Sequence, residues 1–345
     1  MSLVLRLAES RIIPDCAMRA GIRVLCRRRL RDEADVSTEA LQKRQGSFLE
    51  MLRRSPIAVE TLAANLQHYE VPPEFFRHVL GKRLKYSCCY YPEGSGSLDQ
   101  AEELMLSLTC ERAQVQDGMD ILELGCGWGS LTLWMAERYP KARITAVSNS
   151  GSQREFISER CRDRGLNNVT VVTADMNHFS TDQTFDRILS VEMFEHMRNY
   201  ELLLRRIASW MRPDARLFVH IFCHQKYAYP FETEGPGNWM GRMFFTGGIM
   251  PSYDLLFNFQ DDVTIENHWR LSGKHYQRTA EQWLSNMDMR RDRILPVMAS
   301  AYGSKDAALW YRRWRIFFMA CSELWGFRGG DEWLVGHYRF RKRLS

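Results

Sequence analysis

The sequence predicts an α/β fold: a Rossmann-like parallel sheet, with a helical extension ahead of it and a capping insertion behind its fifth strand. Three observations carry this. Between residues 119 and 221 short apolar runs alternate with helical patterns, an order that calls for right-handed crossovers and a sheet covered on both faces. One run ends in three glycines within five positions, Gly125, Gly127 and Gly129, and a helical pattern follows at once. The 345 residues are 45% hydrophobic, enough for one full core. No window approaches the roughly 18 uninterrupted apolar residues of a membrane span, so a soluble chain with no stable membrane association is expected.

In chain order, residues 1–117 read as a helical N-terminal extension and lid. All the basic excess sits at its start: residues 1–55 carry 12 Lys and Arg against 7 Asp and Glu, whereas the remainder carries 35 of each. Arg23, Arg27, Arg28, Arg29 and Arg31 crowd together, which suits a presequence or a membrane-surface helix, but Glu9, Asp15, Asp32, Glu33 and Asp35 interrupt the pattern. A solvated helix packed on the domain is the preferred reading. Basic residues so localised do not make a nucleic-acid face. Helical character continues over 46–66 until Glu70-Val-Pro-Pro73 stops it. Tyr86-Ser-Cys-Cys-Tyr-Tyr91, a turn and a helix over 98–113 follow; the aromatic stretch lies where a lid over the glycines would start.

Residues 118–222 read as the ligand-binding core, with strands near 119–124, 143–147, 169–173, 186–191 and 215–221 and helices near 131–138, 152–164 and 200–211. Residues 223–345 read as a capping insertion, C-terminal helices and final strands. The insertion, 223–275, is aromatic and Met-rich without clear periodicity, which in a compact domain points to function. Two helical patterns, 280–292 and 306–325, precede a last strand, 333–340. The second repeats Trp310, Trp314, Phe317, Phe318 and Trp325 along one side, as core packing or a substrate wall would require. Nine scattered cysteines show no C-x-x-C spacing, which suits a reducing compartment and a cytoplasmic protein.

The glycine loop is either a close-packed turn or a ligand cradle. Its spacing is G-x-G-x-G, with Ser130 where a dinucleotide fingerprint has its third glycine, and the next strand ends in Ser148-Asn149 rather than an acid. Glu123, just before the loop, can meet a polar or cationic ligand. This stretch resembles motif I of the class I S-adenosylmethionine (SAM) methyltransferases.

Ser190-Val-Glu-Met-Phe-Glu-His-Met197 places Glu192, Glu195 and His196 at a strand's carboxyl end, over the same crevice. A turn with one helix-capping acid is the bland explanation. Acid–base or cation-handling chemistry is the functional one. An aliphatic amine is mostly protonated at neutral pH and must lose that proton before it can accept a methyl group, which a histidine or a desolvated glutamate could remove. Glu-x-x-Glu-His lacks a second ligand group in sequence, so no metal is expected.

Taken together, Tyr69-Glu-Val-Pro72, Tyr86-Ser-Cys88, Glu123-Leu-Gly-Cys-Gly-Trp-Gly129, Ser148-Asn-Ser-x-x-Gln153, Asp175, Glu192-Met-Phe-Glu-His196, Phe244-Phe-Thr-Gly-Gly248, Phe259-Gln-Asp-Asp262, Asn267-His-Trp269, Gly273-Lys-His275 and Glu332-Trp333 resemble the coclaurine N-methyltransferase-like branch of the cyclopropane-fatty-acid synthase superfamily, over nearly the whole chain. The resemblance implies a class I methyltransferase fold with SAM as cofactor and a small aromatic or heterocyclic amine as substrate. It implies that Tyr86 and Ser87 reach the cofactor from the lid, with Glu123, Gly125 and Gly127 under its amino-acid moiety. Asn149 and Gln153 would lie near the ribose, Asp175 and Met176 around the adenine, and Val191 behind it. Glu192, Glu195 and His196 would position and deprotonate the amine, with Tyr69 and Glu70 touching its nitrogen. Many relatives pair, so a homodimer is expected.

The runner-up is methylene or methyl transfer to an unsaturated acyl lipid. Cyclopropane synthases usually carry glycine in place of Glu192 and cradle bicarbonate with a histidine, an isoleucine and a tyrosine; alignment puts Ile221, Cys223 and Leu284 there, so the set reads as missing. Cys88 and Cys321 match cysteines of that branch and are read as structural.

Overall fold

The central sheet has seven strands, in the order Val169–Thr173, Arg143–Ser148, Asp120–Leu124, Phe185–Val191, Met211–His224, Trp333–Lys342 and Val263–Leu271. It belongs to a computed structural model that describes residue 9 and residues 13–34, 37–60, 71–235 and 237–343. Helices α1 (Asp15–Ala34), α2 (Thr38–Arg54), α3 (Pro73–Val79) and α4 (Leu98–Ala113) come first. The core follows as β1 (Asp120–Leu124), α5 (Ser130–Arg138), β2 (Arg143–Ser148), α6 (Gly151–Asp163), β3 (Val169–Thr173), β4 (Phe185–Val191), α7 (Tyr200–Trp210) and β5 (Met211–His224). After a small hairpin of β6 (Tyr229–Pro230) and β7 (Ile249–Met250), with α8 (Trp239–Met243) between them, come β8 (Val263–Leu271), α9 (Gly273–Met289), α10 (Arg291–Tyr302), α11 (Ala307–Trp325) and β9 (Trp333–Lys342).

Local chemistry sets the boundaries. Ser37, Ser97, Ser150, Asn199 and Ser272 each accept a backbone N–H of the helix that follows, satisfying a donor the helix cannot satisfy itself. The basic first helix is tied down: Arg19 bridges Glu281 on α9 and Glu323 on α11, and Arg23 also pairs with Glu323. Cys26 and Leu30 are buried beneath it.

The expected parallel sheet is present through β5; β9 then runs antiparallel to β5 and β8 antiparallel to β9. Three expectations need correction. The 223–275 insertion is not irregular throughout, because Val263–Leu271 is that edge strand; its exposed Glu266, Asn267 and His268 hide the alternation. The C-terminal region holds three helices instead of two. The first opens at Gly273, where a Cβ would lie 2.2 Å from the Trp333 carbonyl oxygen, and α10 escaped notice because Pro296 sits inside it. Helix α2 ends at Arg54, with Ser55 as its cap, and residues 61–66 lie outside the described residues. No helix among the described residues is long and apolar enough to cross a membrane.

Candidate active site

A cavity opens at the carboxyl ends of β1, β2 and β4, and the glycine loop forms part of its wall. The backbone N–H groups of Gly125 and Cys126 both donate to the Val147 carbonyl, 3.0 Å away, which pins the loop to the end of β2. Gly125 sits at φ +81° with a hypothetical Cβ 2.8 Å from Met193 Cβ, so the close approach of two turns excludes a side chain. Gly127, at φ +52°, has open space where its Cβ would point.

Every cofactor residue expected from the sequence lines this cavity: Tyr86, Ser87, Glu123, Gly125, Gly127, Asn149, Gln153, Asp175, Met176 and Val191. Glu192, Glu195 and His196 line it too. Tyr69 and Glu70 lie outside the described residues. Several buried polar atoms in the same walls have no hydrogen-bond partner among the described residues, among them Thr109 Oγ1, Trp128 Nε1, Ser130 Oγ and Gln153 Nε2. Donors and acceptors of this kind in a crevice are available to a ligand or to water. Glu123 is 2% exposed, accepts the Thr132 hydroxyl, and has its carboxyl lifted by burial to about 8.

Residues 81–88, within the segment expected to form a lid, are anchored by residues that carry no signal in the sequence. Buried Glu102 accepts the backbone N–H groups of Gly81, Arg83 and Lys85. The Lys85 ammonium, 2% exposed, donates to Ser87 Oγ and to the Cys88 carbonyl at 2.8 Å. It thereby holds Tyr86-Ser87 against the cavity.

The acid cluster divides into two kinds of carboxyl. Glu192 occupies a left-handed backbone position, φ +49°, at the end of β4. Its Oε1 accepts the Cys88 N–H at 2.8 Å and faces His220 Nε2 at 3.2 Å, while its Oε2 accepts the Tyr276 hydroxyl at 2.6 Å. Glu195 follows in a short 3₁₀ turn, 1% exposed, and neither of its oxygens has a hydrogen-bond partner among the described residues. Burial pushes both carboxyls up. For Glu192, Lys85, the Cys88 N–H, the Tyr276 hydroxyl and His196 pull back; for Glu195, the charge of Glu192 pushes further. Of the two, Glu195 is therefore the carboxyl with the stronger hold on a proton. The His196 ring stacks on Phe245 at 5.5 Å and 4°.

Ile221, Cys223 and Leu284 are buried core residues; a histidine and a tyrosine do meet at Glu192 from other positions, Tyr276 of α9 on the cavity wall and buried His220 of β5 behind it, both within hydrogen-bond distance of its carboxyl. The α11 aromatics play both parts: Trp314 and Phe318 are fully buried, while Phe317 and Trp325 line the cavity beside Phe231 and Phe245. Burial raises the thiols of Cys88 and Cys321, so neither is a ready thiolate. Among the described residues no group of three or more His, Cys, Asp or Glu could hold a metal ion.

The family described as mycolic acid cyclopropane synthetase matches residues 59–332. An (S)-coclaurine N-methyltransferase of Thalictrum flavum subsp. glaucum is 42% identical over 344 residues, 99% of this chain and 95% of that protein. One from Papaver somniferum is 38% identical over 343 residues, 99% and 98% of the two chains. The crystal structure of a coclaurine N-methyltransferase bound to N-methylheliamine and SAH superposes with a TM-score of 0.94 at 42% identity, covering 98% of this chain and 99% of that one.

Proposed function

Because this chain belongs to the mycolic acid cyclopropane synthetase family and, within it, to the coclaurine N-methyltransferases, we propose that it is a SAM-dependent N-methyltransferase acting on a small cyclic amine of the tetrahydroisoquinoline type. The observation that carries this reading is one cavity in which a glycine loop meets two buried carboxyls and an imidazole between aromatic walls.

The residues fit the cofactor. Open space at Gly127 lets a ligand rest on bare backbone, and unpaired Ser130 Oγ and Gln153 Nε2 supply polar contacts around it. Gly125 and Gly127 would hold the amino-acid moiety with Glu123 near its ammonium, Asn149 and Gln153 the ribose, Asp175 and Met176 the adenine with Val191 behind it, and Tyr86 and Ser87 would close from the lid. When bound, SAM supplies an electrophilic methyl group on a sulfonium.

What the chain itself must do is strip and hold a proton. A substrate amine arrives mostly as ammonium. Glu195, free of protein hydrogen bonds among the described residues, and the adjacent His196 are placed to accept its proton, and the family resemblance adds Tyr69 and Glu70 at the nitrogen. Glu192, whose carboxyl sits among the Cys88 N–H, the Tyr276 hydroxyl and the His220 ring, and the faces of Phe231, Phe245 and Trp325 would stabilise the cation that returns on methylation. A carboxylate so held fills the place between His220, Tyr276 and the Cys88 N–H with the protein's own group, which disfavours an external carboxyanion base and the acyl-lipid reaction.

The same proposal covers a cytoplasmic setting, consistent with nine free cysteines, a homodimer, and a division into extension and lid (1–117), cofactor core (118–222) and capping and C-terminal region (223–345). The test incubates the purified enzyme with methyl-labelled SAM and, separately, cyclic amines and unsaturated phospholipid vesicles. Label in the amine supports the reading; label in the lipid alone overturns it.

A further inference from the structure

Behind the crevice a line of hydrogen bonds runs from α4 across β9 and β5 and ends on Glu192. His220 on β5 stands directly opposite His337 on β9, which stands opposite Trp269 on β8, so the three side chains share one face of the sheet. From α4, Arg112 lies over the Trp269 ring, 4.8 Å from its centre, and Nη1 reaches His337 Nδ1 at 2.8 Å. His337 Nε2 and His220 Nδ1 are 2.9 Å apart, and His220 Nε2 is 3.2 Å from Glu192 Oε1. Both histidines are fully buried.

One end of this line fixes every proton in it. A guanidinium can only donate, so His337 Nδ1 must accept and its hydrogen sits on Nε2. His220 Nδ1 accepts that hydrogen in turn, which leaves its own on Nε2, aimed at Glu192. Neither ring takes a second proton, because burial and the nearby Arg112 and Lys85 cations hold both well below the ordinary histidine range. We propose that Arg112 and His337 are positioning residues: a relay that locks His220 in the Nε2–H tautomer, so that it always donates to the Glu192 carboxylate.

The relay matters because the alternative is available. With the Arg112 donor removed, His337 and His220 can both adopt the opposite tautomer, His220 presents a lone pair, and Glu192 must carry a proton to satisfy it. A neutral carboxylic acid cannot stabilise a substrate ammonium. The groups facing Glu192 are Lys85 and Cys88 from the lid, Tyr276 from α9, Cys321 from α11, Glu195 and His196 from its own turn, and His220 from β5. Of the Cys88 N–H, the Tyr276 hydroxyl and the His220 ring, which lie within hydrogen-bond distance of the Glu192 carboxyl, the His220 ring is the one that can reverse by a tautomer shift. The geometry stands without reference to substrate, while the role given to Glu192 rests on the amine-methylating reading.

Arg112→Met removes the donor and charge but keeps an apolar stem over Trp269; Arg112→Lys returns a donor. The first readout is ¹⁵N NMR of the histidine rings. Wild type should show two buried rings as Nε2–H tautomers, Arg112→Met should shift them toward Nδ1–H, and Arg112→Lys should restore them. The second is the pH dependence of kcat with a cyclic amine, whose acid limb should move upward by about one pH unit in Arg112→Met and return in Arg112→Lys. Wild-type rings found as Nδ1–H would overturn the relay, even if the Met variant did not fold. So would Arg112→Met with unchanged tautomers and an unchanged profile. The spectra need no turnover, so a wrong substrate class would leave them intact and show only in the label-transfer assay.

Discussion

Replacing Glu123 by glutamine tests the buried acid beneath the glycine loop. Burial lifts this carboxyl from 4.5 to about 8, with the Thr132 hydroxyl pulling the other way. A group whose folded value is raised contributes stability that is fully present below the unfolded value and is lost as pH rises through the folded one. For a rise from 4.5 to about 8 the loss at pH 7 is about 3 kcal/mol. Glutamine does not titrate, and its carbonyl can still accept the Thr132 hydroxyl. In urea melts at pH 5 and pH 7, the variant should therefore gain about 2 to 3 kcal/mol relative to wild type on going to the higher pH. The same acid is about nine-tenths protonated at pH 7, and a ligand ammonium beside it would drive that proton off. Calorimetry of SAM binding in buffers of different ionisation enthalpy should show about 0.9 more protons released by wild type than by Glu123→Gln. Parallel melts with identical proton release would refute a buried acid poised for a cation.

Other outcomes follow from the same cavity. Glu195→Ala and His196→Ala should each lower turnover by about 10²- to 10⁴-fold with little change in SAM affinity, as loss of a proton acceptor requires; normal turnover in both would remove the base assignment. Gly127→Val places a β-branched side chain at φ +52° and fills the open space over the loop, so SAM binding should vanish in calorimetry. Retained binding would move the cofactor elsewhere.

What the sequence disclosed was local. The run Asp120–Leu124 into Gly125, Gly127 and Gly129, and the strand and helix alternation after it, depend on periodicity and backbone freedom that a short window shows, and the strands and helices there lie within a few residues of expectation. The cluster at Glu192, Glu195 and His196 was legible because three ionisable groups sit within five residues at a strand end. Hidden from view was anything assembled from distant segments. Lys85, Arg112, His220, Tyr276 and His337 come from the lid, α4, β5, α9 and β9, and none has a telling neighbour in sequence. The alignment put Ile221, Cys223 and Leu284 at the crevice and gave no sign of His220, whose side chain, one residue before Ile221 on the strand, points to the opposite face of the sheet. Edge strand β8 eluded detection because charged and polar residues break its alternation.

A substrate nitrogen is expected to meet Glu195 and His196 in the cavity that takes the cofactor. The decisive measurement is a crystal structure of the complex with S-adenosylhomocysteine and a tetrahydroisoquinoline. The ring nitrogen should lie within hydrogen-bond distance of the Glu195 carboxyl or the His196 imidazole. A nitrogen turned toward solvent, with both side chains engaged elsewhere, would contradict the account.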